Sequence, residues 1–169
     1  MPGTCFSQKE KTMKKRKTEE RAEIYLFKVT LSDWYGRVRG MPYRILAIPG
    51  ECTLPALAGS IINAFDFDFD HAFGFYDNIK SWTDSVERYE SSTGIIEELQ
   101  DSRNAGRTKV NEVFDEPKKK LLFLYDYGDE WHFVVQLKET RAPEKDTKYP
   151  QIVESVGKAP PQYGEEGEE

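Results

Sequence analysis

The chain has 169 residues, of which 38% are hydrophobic and 13% aromatic, and this size fits one domain with charged ends. No run of about 18 apolar residues occurs, and no apolar segment follows the N-terminal basic residues, so we expect neither a membrane span nor a secretory signal. The only cysteines, Cys5 and Cys52, favour a reducing, cytoplasmic location without a structural disulfide.

The net charge of −6 is unevenly distributed along the sequence. Residues 1–23 carry seven Lys or Arg against four Glu, whereas residues 164–169 carry four Glu and no basic residue. This composition predicts a disordered charged tail at residues 1–22 and an acidic tail at the C-terminal end. Residues 23–163 form the predicted domain, whose acidic balance disfavours phosphate backbones unless its basic residues share one face.

The first predicted elements are two strands, a helix and a third strand. Residues 23–31 and 43–48 are rich in residues with high strand propensity and alternate enough to predict strands. Thr53 is a good N-cap, so we predict a helix over about residues 54–65, followed by a strand at residues 72–76. The helix has one apolar face, formed by Leu54, Leu57, Ala58, Ile61, Ile62 and Phe65.

The connection after the helix resembles part of a calcium-binding loop. Three Asp alternate within residues 66–70, but His71 stands where an EF-hand loop needs glycine and Asp77 replaces its bidentate Glu. We therefore predict a packed connection without calcium. Further along, residues 95–99 predict a short helix or a mobile insertion, and residues 110–114 predict one helical turn.

A strongly apolar and aromatic stretch at residues 120–138 predicts an antiparallel hairpin, with Gly128 and its Asp neighbours at the turn. A four-residue loop would pair Asp126 with Trp131, whereas a three-residue loop would pair Asp126 with Glu130. We favour the three-residue loop because it produces the more aromatic face. That face consists of Leu121, Phe123, Tyr125, Trp131, Phe133, Val135 and Leu137, while Leu122, Leu124, His132 and Val134 form the opposite one.

Beyond Lys138 the alternation fades. Residues 140–148 are charged, and the prolines within residues 149–163 predict an extended segment that lies against the domain. Together the elements predict an α+β fold: a single domain with a mixed or antiparallel sheet of about five strands and one main helix packed on one face.

Several segments in a fixed order carry a family resemblance, namely IYLFKVTL, YRILAIP, LPALAGSIINAF, DHAFGFYDN with Trp82, LFLYDYGDEWHFVVQL and YPQIVESVGKAPPQY. Together they resemble the plasmid pRiA4b ORF-3-like family over about residues 23–163. The resemblance implies a small α+β domain and an association with plasmids and insertion elements, but no established activity. Many members carry His where Phe133 stands and Cys near Ala159, so we expect no metal site at those two positions.

The sequence offers little catalytic chemistry. It contains no GxSxG, Walker or GxGxxG motif, so we predict no cofactor and favour a protein that is not an enzyme. Its two histidines, His71 and His132, could bind a divalent metal together with Asp70, Asp126 or Asp129, which leaves a metal-dependent hydrolase as one alternative. The competing interpretation is that His132 packs on the sheet and His71 caps a turn.

Aromatic residues beside acidic ones are typical of protein interfaces and of grooves for basic peptides. We therefore predict a binding or accessory module of a mobile-element-associated family, with an unidentified protein as partner and no membrane contact. The candidate surface comprises His71, Tyr76, Trp82, Asp126, Asp129, Trp131 and His132. The other alternative is nucleic-acid binding through Lys14, Lys15, Arg16, Lys17, Arg37, Arg39 and Arg44.

Overall fold

The computed structural model describes residues 23–32, 37–91 and 103–163. The strands are β1 (Ile24–Ser32), β2 (Tyr43–Pro49), β3 (Phe73–Tyr76), β4 (Arg88–Glu90), β5 (Arg103–Asn104), β6 (Lys120–Tyr125), β7 (Trp131–Arg141) and β8 (Gln151–Val156). The helices are α1 (Leu54–Ala64) and α2 (Val110–Val113), with 3₁₀ turns at Trp82–Asp84 and Ala105–Arg107. All eight strands form one sheet in the order β5-β4-β3-β6-β7-β1-β2-β8.

The prediction of an α+β fold with one main helix is confirmed, but the predicted number of about five strands is too low. Seven strands of the described residues have three or more residues, and β5 adds a two-residue edge. Neighbouring strands are antiparallel except for β4 and β5. The strands missed by sequence reasoning are β4 and β5, which are too short to show alternation, and β8, which buries none of its residues.

The β6–β7 hairpin has the register of the three-residue loop. Tyr125 pairs with Trp131 and Phe123 pairs with Phe133, so the predicted aromatic face is confirmed and lies in the main core. On the opposite face, Leu122 and Leu124 are also buried, in a smaller cluster with Tyr76, Trp82, Tyr127 and Ile79. The hairpin is therefore covered on both faces at its loop end.

The turn of this hairpin lies at Gly128 and its Asp neighbours, as predicted, and left-handed residues flank it. The left-handed residues are Asp126 and Glu130, with φ of 69° and 51°, whereas Gly128 has no positive φ. Asp tolerates this conformation because its side chain bonds to nearby backbone, and here Asp126 Oδ1 accepts from the N–H of Gly128 at 3.1 Å and of Asp129 at 3.3 Å. The Asp126 side chain thus holds the loop in shape.

Helix α1 covers the aromatic face of the sheet. Thr53 caps it as predicted, with Oγ1 accepting from the N–H of Ala56 at 3.4 Å. Phe65, which follows the helix, packs on Phe133 with ring centroids 5.1 Å apart. Burying each large side chain of this face contributes about 1.5–3 kcal/mol. The buried residues of the helix are Leu54, Leu57, Ala58, Ile61, Ile62 and Ala64.

Several predictions concern residues outside the described part of the chain. These are the two charged tails, the basic residues Lys14 to Lys17, and the short helix or insertion at residues 95–99. The predicted turn at residues 110–114 is confirmed as α2. Within the described ranges, none of the helices has the length and apolar character needed to cross a membrane.

Candidate binding surface at the hairpin loop

The predicted site residues all lie near the β6–β7 loop, residues 126–130, but they form three separate groups. His71 lies beside Asp126, Trp82 and Tyr76 lie beside Tyr127, and the other predicted residues lie beside Asp129 and Glu130. The residues of the candidate surface therefore do not line one common cleft. We call these the histidine group, the tyrosine group and the arginine group.

The histidine group contains two carboxylates and a phenol around one imidazole nitrogen. His71 Nε2 lies 3.3 Å from Asp70 Oδ1, 3.5 Å from Asp126 Oδ2 and 3.2 Å from the hydroxyl of Tyr163. The Asp126 side chain is largely covered, while those of His71 and Asp70 are open to solvent over 35% and 49% of their surface. The group therefore presents negative charge at a surface that a partner can reach.

Tyr125 fixes the backbone beneath this group. Its hydroxyl accepts from the N–H of Asp70 at 2.6 Å and of His71 at 3.2 Å, and it donates to the carbonyl of Asp68. Gln162 holds the same stretch from the C-terminal side, because its side chain accepts from the N–H of Asp68 at 2.5 Å and donates to its carbonyl at 3.2 Å. The loop that carries His71 is thus fastened from two directions.

The hydrogen bonds of the group set its charge. Tyr163 donates to Asp70 Oδ2 at 2.8 Å, and this bond is the main reason that the pKa of the Asp70 carboxyl is lowered. The same bond raises the pKa of Tyr163 to about 12. Burial raises the pKa of Tyr125 to about 12 as well. Asp70 therefore stays ionised and both tyrosines stay neutral near neutral pH.

Two exposed aromatic rings flank the histidine group. Phe69 is 48% exposed and Tyr163 is 50% exposed, although both lie among packed aromatic residues. Phe69 lies 6.0 Å from the ring of Tyr125, and His71 lies 5.8 Å from the same ring. Carboxylates beside exposed ring faces can bind a Lys or Arg side chain through charge-assisted hydrogen bonds and cation–π contacts.

The tyrosine group is structural rather than an open surface. The Tyr76 hydroxyl donates to Glu90 Oε2 at 2.5 Å and lies 2.6 Å from the hydroxyl of Tyr127. Trp82 covers both rings, with centroid distances of 5.0 Å to Tyr76 and 5.6 Å to Tyr127. Tyr76 is fully buried, and burial raises the pKa of its hydroxyl. Tyr76 was named for the candidate surface from sequence, and the structure places it in the interior instead.

The arginine group is also packed. The Arg37 guanidinium lies 3.6 Å from the centroid of the Trp131 ring and donates to the carbonyls of Asp129 at 3.2 Å and Glu130 at 3.0 Å. Its Nη1 lies 3.6 Å from Asp129 Oδ2. Trp131 is buried, and its Nε1 has no hydrogen-bond partner in the described structure. Trp131 was named for the candidate surface from sequence, and in the structure Arg37 and the core cover it.

His132 belongs to the sheet rather than to a site. It is buried, and its Nε2 lies 3.0 Å from Glu130 Oε1. Burial lowers the pKa of His132 despite this carboxylate. The structure thus corrects its placement on the candidate surface.

The two histidines do not share a site. His132 pairs with Leu124 on one face of the hairpin, whereas His71 contacts Tyr125, which lies on the other. A metal-dependent hydrolase that uses both histidines would need them on one face. Among the residues that the structure describes, no group of three or more His, Cys, Asp or Glu could hold a metal ion.

The three arginines of the proposed nucleic-acid set that the structure describes do not form one surface. Arg44 is buried and donates to the carbonyls of Ala64 at 3.0 Å, Val156 at 3.2 Å and Gly157 at 3.1 Å. Arg37 is engaged by the hairpin loop, and Arg39 is exposed. The part of the prediction that relied on Arg44 is therefore wrong, because its charge serves to join α1 to β8.

Sequence reasoning missed the residues that surround His71 in space. Tyr163 and Gln162 come from the C-terminal segment, and Phe69 was expected only to pack. The available sequence signal was the proline-containing segment at residues 149–163, which was predicted to lie against the domain. Its contact point could not be read from a pattern, because Tyr163 and His71 are 92 residues apart in sequence.

Comparisons with known proteins agree with this fold. A sequence model of the family described as plasmid pRiA4b ORF-3-like protein matches residues 23–165. No curated protein matches the chain. A solved structure, the protein of unknown function MM3350 from Methanosarcina mazei Go1, is similar with a TM-score of 0.67 at 18% sequence identity, over 83% of this chain and 73% of that one.

Proposed function

The chain belongs to the plasmid pRiA4b ORF-3-like protein family, and we propose that it is a non-enzymatic module that binds a basic segment of a partner protein. An accessory role in a mobile element fits the plasmid named in the family description. The binding site is the histidine group with Phe69 beside it. The ligand is a Lys or Arg side chain within that segment.

This proposal rests on one observation: the Asp70 carboxylate and the Tyr163 ring are hydrogen-bonded to each other, and both are exposed to solvent. Asp70 is ionised, and one of its oxygens receives the Tyr163 hydroxyl at 2.8 Å. A carboxylate has about four lone-pair positions, so Asp70 can accept further donors from a partner. The exposed rings of Phe69 and Tyr163 supply faces for the cation.

The fixed roles of the neighbouring groups favour binding over catalysis. The Tyr125 hydroxyl is engaged by three backbone groups, the N–H of Asp70, the N–H of His71 and the carbonyl of Asp68. The Asp126 Oδ1 atom accepts hydrogen bonds from the N–H groups of Gly128 and Asp129 in the hairpin loop. The Tyr125 hydroxyl and Asp126 Oδ1 would first have to release these backbone partners before exchanging a proton with a substrate.

The strength expected for such contacts also favours a protein ligand. Exposed ion pairs and cation–π contacts are individually weak, so one basic side chain gives little affinity alone. A segment of a protein adds further contacts around the anchor. We therefore expect the basic residue to fix orientation and specificity, while neighbouring residues of the partner supply the rest of the affinity.

Fluorescence anisotropy with a labelled peptide of alternating Lys and Gly tests the proposal. We expect saturable binding to the full chain that Asp70→Asn weakens several-fold, because this change removes the charge and keeps the shape. Asp146→Asn is the matched control, since Asp146 is exposed and its positive φ of 61° suits Asn equally well. Absence of binding, or equal weakening by the two variants, would overturn the proposal.

A further inference from the structure

The two carboxylates of the histidine group each turn one oxygen towards the same nitrogen. Asp70 Oδ1 lies 3.3 Å from His71 Nε2, and Asp126 Oδ2 lies 3.5 Å from it. The other oxygen of each carboxylate has a different partner. Asp70 Oδ2 accepts from the Tyr163 hydroxyl, and Asp126 Oδ1 accepts from two N–H groups of the hairpin loop. The two oxygens beside His71 therefore mark one position for a positively charged donor.

The phenols around this position add no charge of their own. The Tyr125 hydroxyl lies 3.1 Å from Asp70 Oδ1, but it donates its proton to the carbonyl of Asp68. The Tyr163 hydroxyl lies 3.2 Å from His71 Nε2 and donates to Asp70. The pKa values of both phenols are raised, so both stay neutral near neutral pH. In the part of the chain that the structure describes, the titratable side chains in contact with His71 are these two phenols and the two carboxylates.

The ring of His71 is held at this position by its neighbours. Its backbone N–H donates to the Tyr125 hydroxyl at 3.2 Å, and its ring lies 5.8 Å from the Tyr125 ring and 6.4 Å from the Tyr163 ring. Imidazole is the side chain that exchanges a proton near neutral pH, and the protonated ring donates from both nitrogens. A protonated His71 therefore places an N–H between the two carboxylates, whereas a neutral ring that carries its proton on Nδ1 leaves that position open.

We propose that a proton on His71 and the cationic side chain of the ligand compete for these two carboxylate oxygens, so that the ligand binds with release of a proton. The competition rests on the proposed function and adds regulation by pH to the same site. Two positive charges at one position repel each other, so the site favours either the proton or the ligand. Ligand binding and proton loss are therefore linked, and by reciprocity the affinity for the ligand rises with pH.

The release of one proton for each ligand sets the size of the effect. The affinity should rise by at most about tenfold per pH unit where imidazole titrates, and it should become independent of pH once the ring is neutral. Asp70 stays ionised throughout this range, because the bond from the Tyr163 hydroxyl lowers its pKa. The expected pH dependence therefore arises from the ring of His71 and not from loss of the charge of Asp70.

Isothermal titration calorimetry of the full chain measures the released proton directly. The probe is the peptide of alternating Lys and Gly, acetylated at its N-terminus because a free α-amino group also exchanges protons near neutral pH. A released proton is taken up by the buffer, so two buffers of different ionisation enthalpy should give different apparent binding enthalpies. We expect the difference to correspond to part of one proton per peptide at about pH 6.5 and to almost none at about pH 8.5.

The two histidines of the chain provide the test variant and its matched control. His71→Gln cannot titrate, so its binding should release no proton, and its affinity should change by less than about twofold between about pH 6 and 8. His132→Gln removes the buried histidine on the opposite face of the hairpin, and its binding should release a proton as the native protein does. Circular dichroism at each pH verifies that both variants are folded.

The outcomes separate the competition from the proposed function. Binding to the native protein with equal apparent enthalpies in the two buffers, or with uptake of a proton, would overturn the competition and leave the proposed function in place. Proton release that persists in His71→Gln, or that disappears in His132→Gln, would do the same. Absence of binding to the native chain would overturn both. The buffer comparison on the native protein decides between these outcomes even where His71→Gln binds too weakly to measure.

Discussion

The hydroxyl oxygens of Tyr76 and Tyr127 lie 2.6 Å apart above Gly74. A Cβ atom at Gly74 would lie 2.5 Å from the Tyr127 oxygen and 2.6 Å from the Tyr76 oxygen. This glycine therefore leaves the space that two buried phenols need in order to reach each other and Glu90. The packing of the tyrosine group depends on that missing side chain.

Replacing Gly74 by Ala should lower the free energy of unfolding by about 1–3 kcal/mol, because the added methyl forces the two hydroxyls off their hydrogen bonds. Urea denaturation followed by Trp fluorescence measures the change. Gly59→Ala is the control, since its Cβ would lie 3.7 Å from the Phe69 ring in the middle of α1. That change should stabilise the protein by about 0.5–1 kcal/mol, and a loss of stability there would contradict the packing of Phe69 on the helix.

The burial of His132 predicts a loss of stability in mild acid. Its pKa is lowered in the folded protein, so protons bind more tightly to the unfolded chain, whose His has a pKa of about 6.5. The stabilisation from the neutral ring is present above that pH and is lost as the pH falls through the folded pKa.

Unfolding free energies measured at several pH values above and below about 6.5 test this linkage. His132→Gln keeps a donor for Glu130 and removes the titrating ring, so the variant should be less sensitive to pH in this range than the native protein. Identical pH dependence for the two proteins would show that His132 does not contribute.

The Tyr163 hydroxyl should control the ionisation of Asp70. Tyr163→Phe removes the bond of 2.8 Å to Asp70 Oδ2, so the pKa of Asp70 should rise towards its ordinary value of 3.8. Carboxyl carbon chemical shifts followed by NMR through acid pH measure it. Tyr149→Phe is the control, because the Tyr149 hydroxyl accepts from the N–H of Glu144 and does not contact Asp70.

Arg44 should be sensitive to a change that preserves its charge. Its guanidinium bonds to the carbonyl of Ala64 at the end of α1 and to that of Val156 in β8, and it lies 4.5 Å from the Phe65 ring. Lysine cannot reach these acceptors as a planar fork, so Arg44→Lys should cost about 1.5–3 kcal/mol. Thermal unfolding measures the cost, and Arg39→Lys at an exposed position should have almost no effect.

The sequence predicted most of what depends on local pattern. The apolar spacing of α1 and its cap at Thr53 come from neighbouring residues, and the structure has both. The hairpin register followed because only one loop length placed Phe123 and Phe133 on one aromatic face. The turn was predicted from Gly128 and its Asp neighbours, but the residues that adopt the left-handed conformation, Asp126 and Glu130, were not predicted.

Residues brought together from distant parts of the chain could not be predicted in this way. Arg44 alternates with apolar neighbours on β2 as a surface residue would, and its burial is explained only by carbonyls from α1 and β8. The sequence of β8 does not alternate between apolar and polar residues, because all six residues of this edge strand are exposed and neither face is buried. The contact between Tyr163 and His71 depends on the path of the C-terminal segment across the domain, which no local pattern specifies.

The central position of β1 has a consequence for protein synthesis. This strand lies between β2 and β7, and Ser32 bonds to the carbonyl of His132, a residue 100 positions later. At about 5–20 residues per second, a ribosome needs about 5–20 s to produce that partner. During this interval the apolar residues of β1 lack the neighbouring strand β7, so the middle of the sheet can form only after the second half of the chain has been made.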